Sequence, residues 1–593
     1  MKQAHSFKPW LTIFLVIALI FLGGCISNDD DDDDDNDSPS TAVTTNTITG
    51  TAAAGLPIIG IVNVKGANGN TASADIDSDG NYELDVTSLT APYVLKAVGR
   101  VNDESVELYS TGVAAGNINI TPITNYITSK VIPNLDTAFD NWATESTSVN
   151  ATALQAAEAA VQKQMAPILK AYGITDEIDL MSVEFDTDHS GMDAVLDIIE
   201  IEIDDSNNVT ITNTATNTTV TGDEIFSDSE GTALVLVISE TAAMNVFWSR
   251  VSELFASSMP TASQIDSQIA PFVADDFIGS GGTTKSDEMN CWVAGNCMPT
   301  GVSFSLTINC PMESSEFSAS YSKGYWVNVY YSFGSTEGIM RTAMVYNGTN
   351  WLWYGNQEWV NIWFKFGATK RINTDGSVNY NSDFFIDVED QKNYAYNAGI
   401  RYTLLKGPGF PVDVGDGYRY LSQATGFPDD NFSPDTYTFT DDASVSTVPE
   451  NSEYWIMLFE TNDFYSTSPL QTYKRTVPGK PFLPTEISDN MFPTFTQPNS
   501  NSISALNIGG NVTYTWTNHA ECKVENAWFS WCTGGGPWSG GTCLEMSKGV
   551  TQGAETITFD TSHNTISSPD WGRVEILCND LQGRKRWIDW YMQ

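Results

Sequence analysis

Asp186, Asp188 and Ser190 stand at alternate positions, and Asp197 follows at the twelfth place counted from Asp186. Such a loop offers oxygens to a hard cation like calcium, which takes six to eight of them, and Gly191 at the sixth place permits the sharp turn required. Two features depart from that chemistry. The twelfth residue is Asp rather than the longer, bidentate Glu, and no second such loop occurs. The competing reading is a polar turn in which Ser190 caps a helix starting near Gly191, with Asp193 in its first turn. A second acidic stretch, Asp75-Ile76-Asp77-Ser78-Asp79-Gly80, starts in the same way. Its twelfth residue is Val86, so it reads as a turn.

The cysteines are the other reactive set. Apart from Cys25 they form two clusters: Cys291, Cys297 and Cys310, then Cys522, Cys532, Cys543 and Cys578. The last four are expected to make two disulfides within a C-terminal domain. Among the first three, Cys291–Cys297 and Cys297–Cys310 are both open, and one thiol is left over. A thiolate metal site would ask for paired short spacings, which these lack.

Lys2 and Lys8 precede an apolar run from Trp10 to Leu22, with Gly23-Gly24-Cys25 after it. A charged start, an apolar middle and small residues at the cut are the parts of a secretory leader, and the run is short for a membrane span. Leu22-Gly23-Gly24-Cys25 resembles the bacterial lipoprotein lipobox. That resemblance implies cleavage before Cys25, multiple acylation of Cys25 and a stable tether to the membrane. Ile26 and Ser27 follow, and by the same resemblance they favour the outer membrane, on its periplasmic face or at the cell surface. Asp29 to Asp35 then repel one another and bury nothing, so this stretch is a solvated spacer. Acidic residues after a lipidated cysteine also resemble surface-export signals.

Further on, the pattern is mainly β and multidomain, with a helical insert. The expected divisions are a leader (1–24), an Asp-rich tether (25–46), a β-sandwich (47–118), a helical segment holding the acidic loop (119–205), an α+β then aromatic β region (206–480), and a C-terminal immunoglobulin-like sandwich (490–593). Gly55-Leu56-Pro57-Ile58 before a Val-rich strand, and Asp77-Ser78-Asp79-Gly80-Asn81-Tyr82, resemble the carboxypeptidase regulatory-like, transthyretin-like sandwich. This implies a non-catalytic adaptor. Thr121-Pro122 predicts a helix start, and Leu154, Val161, Met165, Ile168 and Leu169 predict a helix that Pro167 kinks or splits. A second helix is expected over about 240–257. Helices followed by antiparallel strands ending in Trp353-Tyr354-Gly355-Asn356-Gln357 are faintly similar to the NTF2-like cone, which implies a pocket. Aromatics between Tyr321 and Phe366 are expected mainly in cores.

Net charge is −46, and loss of the leader removes two more cations. Phosphate backbones would be repelled, so no nucleic-acid partner is expected. No His-Glu-x-x-His, Gly-x-Ser-x-Gly or phosphate-cradling loop occurs. The expectation is a non-catalytic, lipid-anchored binding or structural protein of the cell envelope, meeting the membrane through its anchor and an envelope or extracellular partner. The alternative is a carbohydrate-binding or carbohydrate-processing protein with its site in 280–480 and a polysaccharide as partner. Calcium is the one cofactor the residues suggest.

Overall fold

Short runs of alternating apolar and polar residues open the structure, a computed structural model describing residues 46–593 apart from 102–103, 133, 176–177, 205, 296, 335, 391–393, 410–417, 423–435, 462–465, 498, 536–540, 552, 564–565 and 567–568. The leader, Cys25 and the aspartate run lie outside the described residues. The chain is mainly β with a helical insert.

Strands β1 (Thr47–Thr51), β2 (Ile59–Gly66), β3 (Thr71–Asp75), β4 (Asn81–Asp85), β5 (Tyr93–Val101), β6 (Glu104–Gly112) and β7 (Gly116–Asn117) make two sheets, ordered β4-β1-β7 and β3-β2-β5-β6. Tyr82 and Leu84 alternate inward from one sheet and meet Val62, Val64, Leu95 and Ala97 of the other. The Asp79-Gly80-Asn81 turn carries the chain from one sheet to the other. There the Asp77 carboxylate accepts the backbone N–H groups of Asp79 (3.0 Å) and Asn81 (2.7 Å).

Helices follow: α1 (Pro122–Val131), α2 (Leu135–Asp140), α3 (Trp142–Glu145) and α4 (Ala151–Ala171). Thr121 caps α1 as its sequence predicts, with the Thr124 N–H donating to its hydroxyl and its own N–H donating back to Thr124. Of the two outcomes expected at Pro167, a kink or a split, the helix is not split: α4 runs from Ala151 to Ala171 with Pro167 inside it. Met165, Ile168 and Leu169 on either side are buried in one core, and that burial outweighs a hydrogen bond lost within the last turn and a half. The short helix α5 (Gly191–Leu196) leads to the meander β8 (Ile199–Ile203), β9 (Val209–Asn213) and β10 (Thr218–Thr221).

Helix α6 (Asp228–Phe255) begins well before the expected Glu240, because Asp228 and Glu230 suit a helix N-terminus and the apolar run Leu234–Ile238 satisfies helix as well as strand. Gly231 lets it lie against α4: a Cβ there would stand 2.9 Å from the Pro167 carbonyl oxygen. After α7 (Ala262–Gln268) and α8 (Lys285–Ala294) comes the meander β11 (Ser303–Pro311), β12 (Lys323–Phe333), β13 (Thr336–Tyr346) and β14 (Trp351–Gly355). One apolar core joins α1, α4 to α8 and β8 to β14, on both sides of the division expected near 205, while α2 and α3 pack against β5 and β6 around Trp142. Trp248, Trp292, Phe247 and Phe277 gather around Trp353, at 4.7–6.0 Å between ring centroids. These rings pack between α6, α8 and the β11–β14 sheet.

The remainder is β15 (Asn361–Ile372), β16 (Val378–Glu389), β17 (Tyr402–Lys406), β18 (Tyr418–Ser422), β19 (Thr436–Phe439), β20 (Ser452–Phe459), β21 (Gln471–Val477), β22 (Thr494–Gln497), β23 (Asn511–Thr517), β24 (Cys522–Thr533), β25 (Thr542–Gly549), β26 (Thr556–Asp560), β27 (Trp571–Asp580) and β28 (Lys585–Met592). Seven of these form one sheet, ordered β19-β16-β15-β28-β27-β24-β25, in which β15 and β28 run parallel from Gly367↔Lys585 to Ile372↔Trp590. The C-terminal strands therefore share a sheet with residues 361–439. Its inner face meets two smaller sheets: β18-β17-β20-β21 over Phe364, Phe366 and Phe384, and β22-β23-β26 over Phe529, Val574 and Ile588.

Candidate functional site

Because residues alternate along a strand, burial of Phe364, Phe366 and Ala368 turns Trp363, Lys365, Thr369 and Arg371 to the opposite face of the seven-stranded sheet. Register does the rest. Arg371 lies beside Asp589, Asp589 beside Glu575, and Tyr591 beside Arg573. Phe385 lies beside Lys365 and Trp528 beside Glu575.

Two features result. The first is a row of half-exposed rings crossing the strands. Trp363 and Phe385 are 6.2 Å apart, Phe385 and Trp587 6.1 Å, and Trp587 stacks on Trp528 at 5.3 Å with an interplanar angle of 12°. Trp363 is 39% exposed, and Lys585 Nζ sits 5.6 Å from its ring centre. Gly367 makes the row possible, since a Cβ there would stand 2.6 Å from the Phe385 ring and 2.6 Å from the Lys585 carbonyl oxygen. The row runs from Trp528 on β24 over Trp587 on β28 to Phe385 on β16, and its last step turns back to Trp363 on β15.

The second feature is an ion network beside the row. The Arg573 guanidinium bonds Asp589 Oδ1 (2.9 Å) and Glu575 Oε1 (2.5 Å), and Arg371 approaches Asp589 Oδ2 at 3.8 Å. The Trp587 indole N–H donates to Glu575 Oε1 at 3.1 Å. Tyr591 lies between the two guanidiniums, 5.5 and 5.6 Å from its ring centre. Nearby, Thr369 and Thr438 donate to the Asp383 carboxylate at 2.6 and 2.7 Å. Burial pushes Glu575 up to about 8. Arg573 opposes this and the Asp589 charge reinforces it, so the carboxyl is held well above the usual carboxylate range. Burial also raises Asp383, and the two threonine hydroxyls hold it back in part.

Of the four suggested calcium ligands, three are exposed. Asp186 lines an open acidic cleft of about 650 Å³ with Asp75, Asp77, Glu83 and Glu184. Asp188 accepts from the Ser190 N–H (3.0 Å) and hydroxyl (2.6 Å). Asp197 turns inward instead: His189 Nδ1 lies 3.0 and 3.2 Å from its two oxygens. His189, at φ 60°, stacks on Tyr330 at 3.7 Å, and its backbone N–H donates to the wholly buried Asp193 at 2.7 Å. Among the described residues no group of three or more His, Cys, Asp or Glu side chains is arranged to hold a metal ion. Burial raises Asp193 to about 7, with help from Asp197. Burial would lower His189, but the Asp197, Asp193 and Asp188 carboxylates outweigh it and raise it. Ser190 precedes α5 without a side-chain capping bond.

The cysteines pair as Cys291–Cys297, Cys522–Cys578 and Cys532–Cys543, and Cys310 is a half-buried free thiol. Trp351, Trp353, Tyr354, Phe364 and Phe366 lie in cores, while Trp363 does not. Sequence reasoning missed the outer face as a site. Half its residues fall in 361–389 and half in 528–591, and only the parallel β15–β28 pairing joins them.

No protein-family model matches the chain, and a search of curated proteins also finds no match. The solved structures that match are only remotely similar, two of them as follows. The FN1–FN3 domains of chicken CNTN1 match at 9% identity and a TM-score of 0.14, over 46% of this chain and 75% of that one. A tetra-tandem repeat from the extending region of a large adhesion protein matches at 9% identity and a TM-score of 0.12, over 92% of this chain and 99% of that one. Likeness at these scores carries no argument.

Proposed function

We propose that this chain is a non-catalytic binding or structural protein of the bacterial envelope, held by acylated Cys25 on the Asp29–Asp35 spacer. The observation that carries the reading is the outer face of the seven-stranded sheet. Its rings are fixed by cross-strand packing, and its carboxylates are engaged by guanidinium, indole and hydroxyl groups, the arrangement of a rigid binding surface. Proton transfer would ask for a carboxyl group open to a substrate. Three disulfides agree with an oxidising compartment.

The test is palmitate labelling and membrane fractionation of wild type and Cys25→Ser in a bacterial host, with protease shaving of intact cells. Labelled, membrane-bound wild type and an unlabelled, released variant are expected. An unlabelled wild type would refute the anchor.

A further inference from the structure

We propose that the outer face of the seven-stranded sheet binds an uncharged polysaccharide chain, laid across the strands along Trp528, Trp587, Phe385 and Trp363. This deepens the binding role proposed above and rests on it. Sugar rings present apolar C–H faces between rims of hydroxyls, and four aromatic rings at 5.3–6.2 Å intervals offer matching surface. A half-exposed aromatic row of this kind, with Trp363 39% exposed, is uncommon on a surface unless it meets a ligand.

Charge decides between neutral and ionic ligands. On the outward side of β15, β28 and β27 the cations are Lys365, Arg371, Lys585 and Arg573, set against Glu575 and Asp589; β16 adds Asp383, Asp387 and Glu389, and β25 adds Glu545. The face is thus close to balanced in a chain of net charge −46. A polyanion would have to approach through that negative field. Arg573 is bound to Asp589 and Glu575, and a polyanion would compete with those contacts. A hydroxylated, uncharged chain meets neither obstacle. The Arg371 side chain, 46% exposed and only loosely held by Asp589, has N–H groups to donate to sugar hydroxyls beside the row.

The experiment is affinity electrophoresis of the full chain lacking its leader and Cys25, in gels containing hydroxyethylcellulose, laminarin, galactomannan or dextran, with polygalacturonate and poly-glutamate as charged comparisons. Retardation by at least one neutral polymer is expected. It should weaken at least tenfold in Trp363→Ala and in Phe385→Ala, change less than twofold between 50 and 500 mM salt, and leave the melting temperature of Trp363→Ala unchanged. Retardation by no neutral polymer, equal retardation of both variants, or retardation by the polyanions alone would overturn the assignment. Any of these would leave the Cys25 labelling result standing, so the two proposals fail separately.

Discussion

Glu575→Gln isolates the proton that the ion network holds. Glu575 and Asp589 are cross-strand neighbours, each side chain only 4% exposed, and both face Arg573. A carboxyl group raised from 4.5 to about 8 binds its proton more tightly folded than unfolded. Its contribution is therefore complete below pH 4.5 and is lost as pH climbs through 8. At about 1.36 kcal/mol per pH unit, the wild type should lose on the order of 4 kcal/mol from this group between pH 5 and pH 9. Glutamine keeps the shape and the indole contact but cannot ionise. The stability difference between variant and wild type should therefore move in favour of the variant by that amount across the same range. Urea titrations at five pH values measure it, and near-ultraviolet circular dichroism of the Trp528–Trp587 stack reports the same region. Parallel pH profiles for the two proteins would refute the argument.

Three further outcomes follow from the contacts. Arg100, buried in the first sandwich, pairs with Glu525 of β24 across a cleft of about 210 Å³, and Asn579 donates to the same carboxylate at 2.6 Å. Glu525→Ala strands the guanidinium and should cost about 2–3 kcal/mol in denaturant titrations, whereas breaking the exposed Lys523–Asp75 pair should cost under about 1 kcal/mol; equal losses would contradict the burial argument. Removing Cys522–Cys578, which closes 56 residues, should cost about 4 kcal/mol, against about 3 kcal/mol for Cys532–Cys543, which closes 11; paired alanine variants compared under non-reducing conditions test the order. Since Asp197 faces His189 rather than Asp188, chelator should leave the melting temperature unchanged, and a chelator-induced drop that vanishes in Asp188→Ala would restore the calcium loop.

Local pattern carried much of this fold into view. Tyr82 and Leu84 alternate because one face of β4 is buried, and Thr121-Pro122 marks α1 because an unpaired helix start needs an acceptor and tolerates proline. The hairpin at Asn579–Gly583 is equally local, joining β27 to β28. What sequence could not reveal depends on partners far along the chain. Pro167 stays helical because the core holds the residues around it. The oxygens of Asp197 match a cation ligand in spacing, yet an imidazole eight residues back takes them. Trp363 and Trp528 look like any other strand aromatics until pairing puts them on one surface.

The parallel seam between residues 367–372 and 585–590 also sets a timetable. Whether the chain emerges from a ribosome or from an export channel, the β15–β16 hairpin must wait with one bare edge until β28 arrives. Long-range pairing of this kind is slow to form, and a waiting edge is open to the wrong neighbour. Loss of residues 584–593 would thus remove a middle strand, leaving β15 and β27 without the neighbour they share. A stop placed just before Lys585 should therefore yield an aggregating chain.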